Sequence, residues 1–149
     1  MIRLLKAPLL MGCMLCSLYA CAGTPVTSAS LAAQPVQVTL DGQTFALKQD
    51  QQGCALLKPD KSVLPLDIPW PCHFSVDPQG EAHVETYRNV PIVIVLHVMP
   101  IAGNRLECRS EYRAVRLING KPEVSVIARS ASCLRGAGDQ KDYTAMFDW

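Results

Sequence analysis

The stretch PIVIVLHVM, residues 91–99, is the most apolar run in the chain after residue 35. It is rich in β-branched residues, and prolines bound it at positions 91 and 100. An apolar run of this length and composition predicts a central β-strand that is buried on both faces. Within it, His97 is expected to be a core residue hydrogen-bonded to a backbone carbonyl, since a catalytic role has no supporting motif.

Segments on both sides of this run alternate between apolar and polar residues, as half-buried strands do. Residues 36–40 and 44–47 flank Asp41-Gly42, which is typical of a type I′ hairpin turn. Segment 63–71 contains three prolines and is therefore excluded from the centre of a sheet. The other predicted strands are 54–58, 72–76, 81–88, 105–118 and 123–129. This pattern predicts an antiparallel β-sandwich or small barrel, and residues 139–147 favour a short C-terminal helix.

The N-terminus has the pattern of an export signal. Arg3 and Lys6 precede an uncharged stretch of about 13 residues, shorter than the ~20 needed to span a bilayer. Residues 1–20 are therefore predicted to be a signal peptide. Leu18-Tyr19-Ala20-Cys21 resembles the lipobox of bacterial lipoproteins. That resemblance implies cleavage before Cys21 and a diacylglycerol on its thiol.

The residue after the cysteine bears on the destination of the protein. Ala22 stands where many inner-membrane lipoproteins carry Asp, so the resemblance implies a lipid anchor in the outer membrane, facing the periplasm. Ala20-Cys21-Ala22 also has the A-x-A pattern of ordinary signal cleavage, which would release a soluble periplasmic protein.

A spacer separates the predicted anchor from the folded part of the chain. Residues 22–35 are uncharged and dominated by small and turn-forming residues, so that they cannot bury enough apolar surface to fold alone. We interpret 21–35 as a lipid-anchored flexible tether, and 36–149 as a single β-rich domain. Fully extended, the 14 residues after Cys21 reach at most about 46 Å.

The chain has seven cysteines. Cys13 and Cys16 are predicted to leave with the signal peptide, and Cys21 is the predicted lipid site. An even set then remains in an exported protein, which predicts two disulfides. The remaining cysteines are Cys54, Cys72, Cys108 and Cys133.

Four cysteines allow three connectivities. We favour Cys54–Cys72, which would close the proline-rich loop, and Cys108–Cys133, which would staple the last hairpin to the C-terminal segment. A zinc site made of these residues is not predicted, because zinc ribbons and fingers need closely spaced ligand pairs and the chain has no CxxC pair.

Signals of catalysis are weak, and we predict no catalytic residue, metal or cofactor. The chain contains no G-x-S-x-G nucleophile motif and no glycine-rich phosphate loop. Glu81, His83 and Glu85 alternate along one predicted strand, where two carboxylates and an imidazole could bind a divalent ion. A solvent-facing polar stripe produces the same pattern and is the favoured interpretation.

The formal net charge of +1 excludes a strongly basic nucleic-acid-binding protein. The charges are nevertheless unevenly distributed. Residues 36–87 hold three lysines against seven acidic residues, whereas 88–135 hold seven arginines and one lysine against three glutamates. The alternating series on one predicted strand face is Arg105, Glu107, Arg109, Glu111 and Arg113.

This strand face has two interpretations. It is either a solvated sheet face with cross-strand ion pairs or an arginine-rich contact surface. For the second, the candidate binding residues are Arg105, Arg109, Arg113 and Arg116. The aromatic-rich C-terminus has two interpretations as well, a segment docked on the core or an exposed recognition tail. Its apolar residues are Tyr143, Met146, Phe147 and Trp149.

The favoured function is a non-enzymatic, protein-binding module of the cell envelope. In class, a small anchored β domain with disulfides resembles periplasmic inhibitors and immunity proteins, which neutralise a toxin or lytic enzyme. The alternative is a structural or assembly lipoprotein of a secretion, pilus or conjugation complex. A small envelope hydrolase or metal-binding protein is the third possibility. The expected partners are a membrane, through the lipid, and an envelope protein.

Overall fold

A computed structural model describes residues 34–51, 53–133 and 138–149 of the chain. The predicted signal peptide, the lipid site Cys21 and the tether up to residue 33 lie outside the described residues, so these remain predictions. The described part consists of two antiparallel β-sheets and one short C-terminal helix.

The first sheet has four strands in sequence order. They are β1 (Gln37–Leu40), β2 (Gln43–Asp50), β3 (Gly53–Leu57) and β4 (Val63–Pro65). Asp41 and Gly42, between β1 and β2, both have positive φ angles, 45° and 73°, as a type I′ turn requires. The predicted hairpin is therefore confirmed. The proline-containing β4 lies at the edge of the sheet, where a missing N–H is tolerated.

The second sheet is organised around one long hairpin of two strands, β7 (Val90–Ile101) and β8 (Asn104–Ile118). Two short strands lie in line along the free side of β7, and two along that of β8. These are β5 (His73–Phe74) and β6 (Val84–Tyr87) beside β7, and β9 (Lys121–Val124) and β10 (Ala128–Ser130) beside β8. The single strand predicted for 123–129 is thus two strands.

The hairpin is covered on both faces over much of its length, which makes its strands the centre of the fold. Val93 and Val95 pack against the first sheet, in a cluster of buried residues between the two sheets. Ile94 and Leu96 face the other way, toward the C-terminal segment and its helix α1 (Gln140–Thr144). The predicted buried central strand is confirmed, and the helix lies within the predicted 139–147.

The structure contains two disulfides, with the pairing that the sequence analysis favours, and the first of them joins the two sheets. Cys54, in β3, bonds to Cys72, just before β5, and both are buried between the sheets. Cys108, in β8, bonds to Cys133, which follows β10. The described strands form a sandwich of two sheets and do not close into a barrel.

Candidate functional site

The second sheet extends further than the first, so part of its inner face is uncovered. On β8, Val115 and Leu117 are buried against the first sheet. Because side chains alternate along a strand, Arg113, Glu111 and Arg109 continue the same face. Burial falls along this series, from fully buried at Val115 to exposed at Arg109.

Two contacts mark the border where the first sheet and its loops stop covering this face. His97 Nδ1 donates a hydrogen bond to the carbonyl oxygen of Pro71, 2.7 Å away, since a carbonyl can only accept. Arg113 Nη1 donates to the carbonyl oxygen of Leu66 at 3.0 Å and pairs with the Asp67 carboxylate at 2.8 Å. The predicted role of His97 as a core residue bonded to a backbone carbonyl is thereby confirmed.

Beyond the border lies a small surface that we call the shelf, made of Met99, Arg109, Glu111 and Arg129. Met99 stands directly opposite Arg109 in the β7–β8 register, and Glu111 stands opposite Arg129 in the β8–β10 register. The four side chains line a groove of about 450 Å³. The shelf thus places an apolar side chain, 43% exposed, beside Arg109 on an open sheet face, with Arg129 one strand further away.

The ion pair on the shelf is solvent-exposed. Arg129 Nε donates to Glu111 Oε1 at 2.8 Å, but the Arg129 side chain is 70% exposed. Exposed pairs of this kind contribute at most about 1 kcal/mol, so a competing carboxylate can replace Glu111 at little cost. Arg109 makes no hydrogen bond or ion pair with any residue that the structure describes.

The structure divides the four predicted binding arginines. Arg109 is exposed on the shelf, and Arg113 lies at the border with its guanidinium engaged by the first sheet. Arg105 belongs to a three-residue irregularity of β8, between the pairs Pro100–Cys108 and Ile101–Asn104, and its side chain lies outside what the structure describes. Of these three arginines, Arg109 is the one whose side chain is seen to be available to a partner.

Arg116, the fourth, lies on the opposite face of β8 and fastens the C-terminus. Its guanidinium carbon is 4.4 Å from the ring centre of Phe147 and 4.7 Å from that of Trp149. It also pairs with Glu123 at 2.9 Å and donates to the carbonyl oxygen of Asp148 at 3.0 Å. These cation–π and hydrogen-bond contacts show that the C-terminal segment is docked on the sheet.

The predicted stripe of Glu81, His83 and Glu85 along one strand is not formed, because β6 begins at Val84, and the partly buried His83 and Glu85 lie beside the C-terminal helix. His83 Nε2 lies 3.6 Å from Glu85 Oε2, and Gln140 of α1 donates to Glu85 Oε1 at 2.9 Å. The Gln140 hydrogen bond lowers the pKa of the Glu85 carboxyl below its ordinary value. Glu81 is not brought into a metal-binding group with them: among the described residues no set of three or more His, Cys, Asp or Glu side chains converges.

Two shelf residues were not singled out by the sequence. The apolar pattern places Met99 in the buried run 91–99, and the alternating pattern places Arg129 at the end of the predicted strand 123–129. Pro100 is the sequence feature that indicates the exposure of Met99. A proline cannot donate a hydrogen bond to a neighbouring strand, so it is expected where the apolar run leaves the core. For Arg129 the signal is non-local, since its pairing with Glu111 depends on the β8–β10 register.

Comparisons of the chain with protein-family models, with curated proteins and with solved structures find no match. Within the described residues, no helix is long and apolar enough to cross a membrane. The shelf is accordingly the feature from which a function is best inferred.

Proposed function

We propose that the protein is a lipid-anchored envelope protein whose domain acts as a non-enzymatic binding module, with the shelf as its contact surface. The lipobox-like Leu18–Cys21 supports anchoring, in the outer membrane facing the periplasm. Two disulfides are compatible with an exported protein, because they persist in oxidising compartments.

The observation that carries this proposal is an inner sheet face that its own fold leaves open. Arginine and methionine are enriched in protein interfaces relative to the rest of the surface. The planar guanidinium of Arg109 can pair with a carboxylate in a bidentate geometry. The partner is therefore expected to present a carboxylate beside an apolar side chain, which would meet Arg109 and Met99.

Arg113 is not a suitable residue for testing this proposal. Reversing the charge of Arg113 would break its contacts with Leu66 and Asp67, so a loss of binding there would not distinguish contact from misfolding. Arg109 and Met99 are exposed, and substitutions at such positions usually change stability by about 0.5 kcal/mol or less. They are the residues to change.

The experiment is affinity capture by the full-length protein from detergent-solubilised envelopes. The double variant Met99→Glu/Arg109→Glu is expected to lose about tenfold or more of the captured partner, a difference of about 1.4 kcal/mol. Lys48→Glu, which reverses an exposed strand cation on the first sheet, is the matched control and should capture normally. Unchanged capture by the double variant would refute the shelf as the contact surface.

The identity of the captured species distinguishes the two proposed functions, an inhibitor or immunity protein and an assembly component. A single enzyme or toxin, bound in a defined ratio and losing activity, identifies an inhibitor or immunity protein. A large membrane complex, with assembly defects when the shelf is changed, identifies an assembly component.

A further inference from the structure

The β7–β8 hairpin ends in an exposed apolar tip, which we define as residues 100–103. Pro100, Ile101 and Ala102 are exposed in succession directly after Met99, and Ile101 is 37% exposed. Gly103, with a φ of 84°, completes the turn. An uninterrupted run of exposed apolar residues is uncommon on a surface that faces water alone, and it points to a binding function.

The chain enters the domain at the same end of the sandwich. Phe74 N–H donates to the carbonyl oxygen of Pro35, and Phe74 pairs with Val95 in the middle of β7. Six residues of strand separate Val95 from Ile101, a distance of about 20 Å at 3.3 Å per residue. The tip therefore extends about 20 Å beyond the level at which the described chain begins.

The direction of β1 places this entry on the tip side. Asp41, the turn residue that follows β1, lines one cleft together with Asn89 and Asn119 of the two neighbouring turns. These turns lie at the opposite end of the hairpin from the tip, because Asn89 immediately precedes β7. The start of β1, and the chain before it, consequently face the end that carries the tip.

We propose that the tip inserts into the interfacial layer of the membrane that holds the lipid anchor. This inference rests on the proposed anchoring at Cys21. The 14 residues of 22–35 reach at most about 46 Å, more than twice the 20 Å that the tip extends, so lipid and tip reach one bilayer together. Interfacial segments bury about 5–10 Å into the boundary between headgroups and acyl chains, which is the length of the last two or three residues of the hairpin.

The tip positions the domain, and the lipid supplies the binding energy. Residues 100–103 carry no charge, so their insertion should depend on the apolar boundary, whereas Arg109 on the neighbouring shelf should add attraction to anionic headgroups. With the tip inserted, the shelf lies just above the membrane surface. A partner would then be met at that surface.

The test uses the full-length lipoprotein in phosphatidylcholine vesicles that carry a nitroxide quencher near the headgroups. Ala102→Cys is labelled with an environment-sensitive fluorophore, and the exposed Lys121→Cys position, at the start of β9 and at the other end of the hairpin, is the matched control. Quenching is expected to be about twofold or more stronger at position 102 in pure phosphatidylcholine, and added phosphatidylglycerol should strengthen membrane contact further through the shelf arginines. Adding Ile101→Glu should abolish the difference.

The other outcomes overturn the inference without touching the shelf. Equal quenching at both positions, or none at either, would show that the tip does not contact lipid. A label that is equally buried in the unlipidated Cys21→Ser protein, in buffer without lipid or detergent, would identify a protein, such as a second copy of the chain, as the occupant. Failure of the protein to stay on vesicles would remove the anchor and this inference together, while capture in detergent, unaffected by Ile101→Glu, would still report on the shelf.

Discussion

The two ends of the β7–β8 hairpin share one antiparallel ladder, regular from Ile92–Arg116 to Pro100–Cys108, but have different surroundings. Near its start, Ile92 and Val93 are both buried, one against the C-terminal segment and the other against the first sheet. Near its end, Val98 still packs against the outer layer, whereas Met99 on the inner face is exposed. The hydrogen bonds between β7 and β8 therefore continue beyond the region in which the strands are buried. Whether a side chain of the hairpin is buried depends on the layer that covers its face.

The largest expected effect comes from truncating one side chain at each end. Leu96→Ala removes a fully buried side chain and should lower the free energy of unfolding by about 2–5 kcal/mol. Met99→Ala, three residues further along β7, should change it by less than about 0.5 kcal/mol. Urea unfolding midpoints measure both. A large loss for Met99→Ala would mean that the shelf is covered in solution, and the contrast between the two ends would fail.

The sequence predicts the buried end of the hairpin better than the open one. An apolar run, a type I′ turn and an even set of cysteines after residue 35 are local or compositional signals, and each is realised in the structure. Arg109 and Arg113, in contrast, occupy equivalent positions of one alternating pattern. They differ only because Leu66 and Asp67, nearly fifty residues away in the chain, reach Arg113 and not Arg109.

The border between the two ends gives the next effect. Arg113→Met removes a charge-assisted pair with Asp67 and a hydrogen bond to the Leu66 carbonyl, so it should cost about 1–2 kcal/mol. Asp67 is more than half exposed, and Arg113 Nε is buried without a partner among the described residues, which keeps the loss in the lower part of the range for such bonds.

Arg109→Met is the matched control on the shelf, and it should leave the thermal midpoint within about 1–2 °C of the parent. A further Asp67→Asn change should add little to Arg113→Met, because the partner is already gone. Equal losses of stability for Arg113→Met and Arg109→Met would contradict the position of the border at Arg113. So would a stability loss for Asp67→Asn that adds in full to that of Arg113→Met.

The smallest effect concerns the layer that covers the outer face at the buried end. Tyr143 of α1 is fully buried, and its hydroxyl lies 3.1 Å from Ser75 Oγ. Burial raises the pKa of Tyr143 above its ordinary value of 10.0. The unfolded chain then releases this proton at a lower pH than the folded protein. The stabilisation from a neutral, buried phenol is complete below pH 10 and is lost as the pH rises through the folded pKa.

Tyr143→Phe should cost about 1 kcal/mol at neutral pH, from the lost hydrogen bond, but it should flatten the alkaline fall in stability. Ser75→Ala removes the same hydrogen bond and keeps the phenol, so it should retain that fall. Chemical unfolding at pH 8 to about 11, followed by the absorbance of tyrosinate, measures both. If Tyr143→Phe lost as much stability at alkaline pH as the parent, ionisation of Tyr143 would not be the cause of that loss. The packing of the C-terminal segment would then be attributed to the Arg116 contacts.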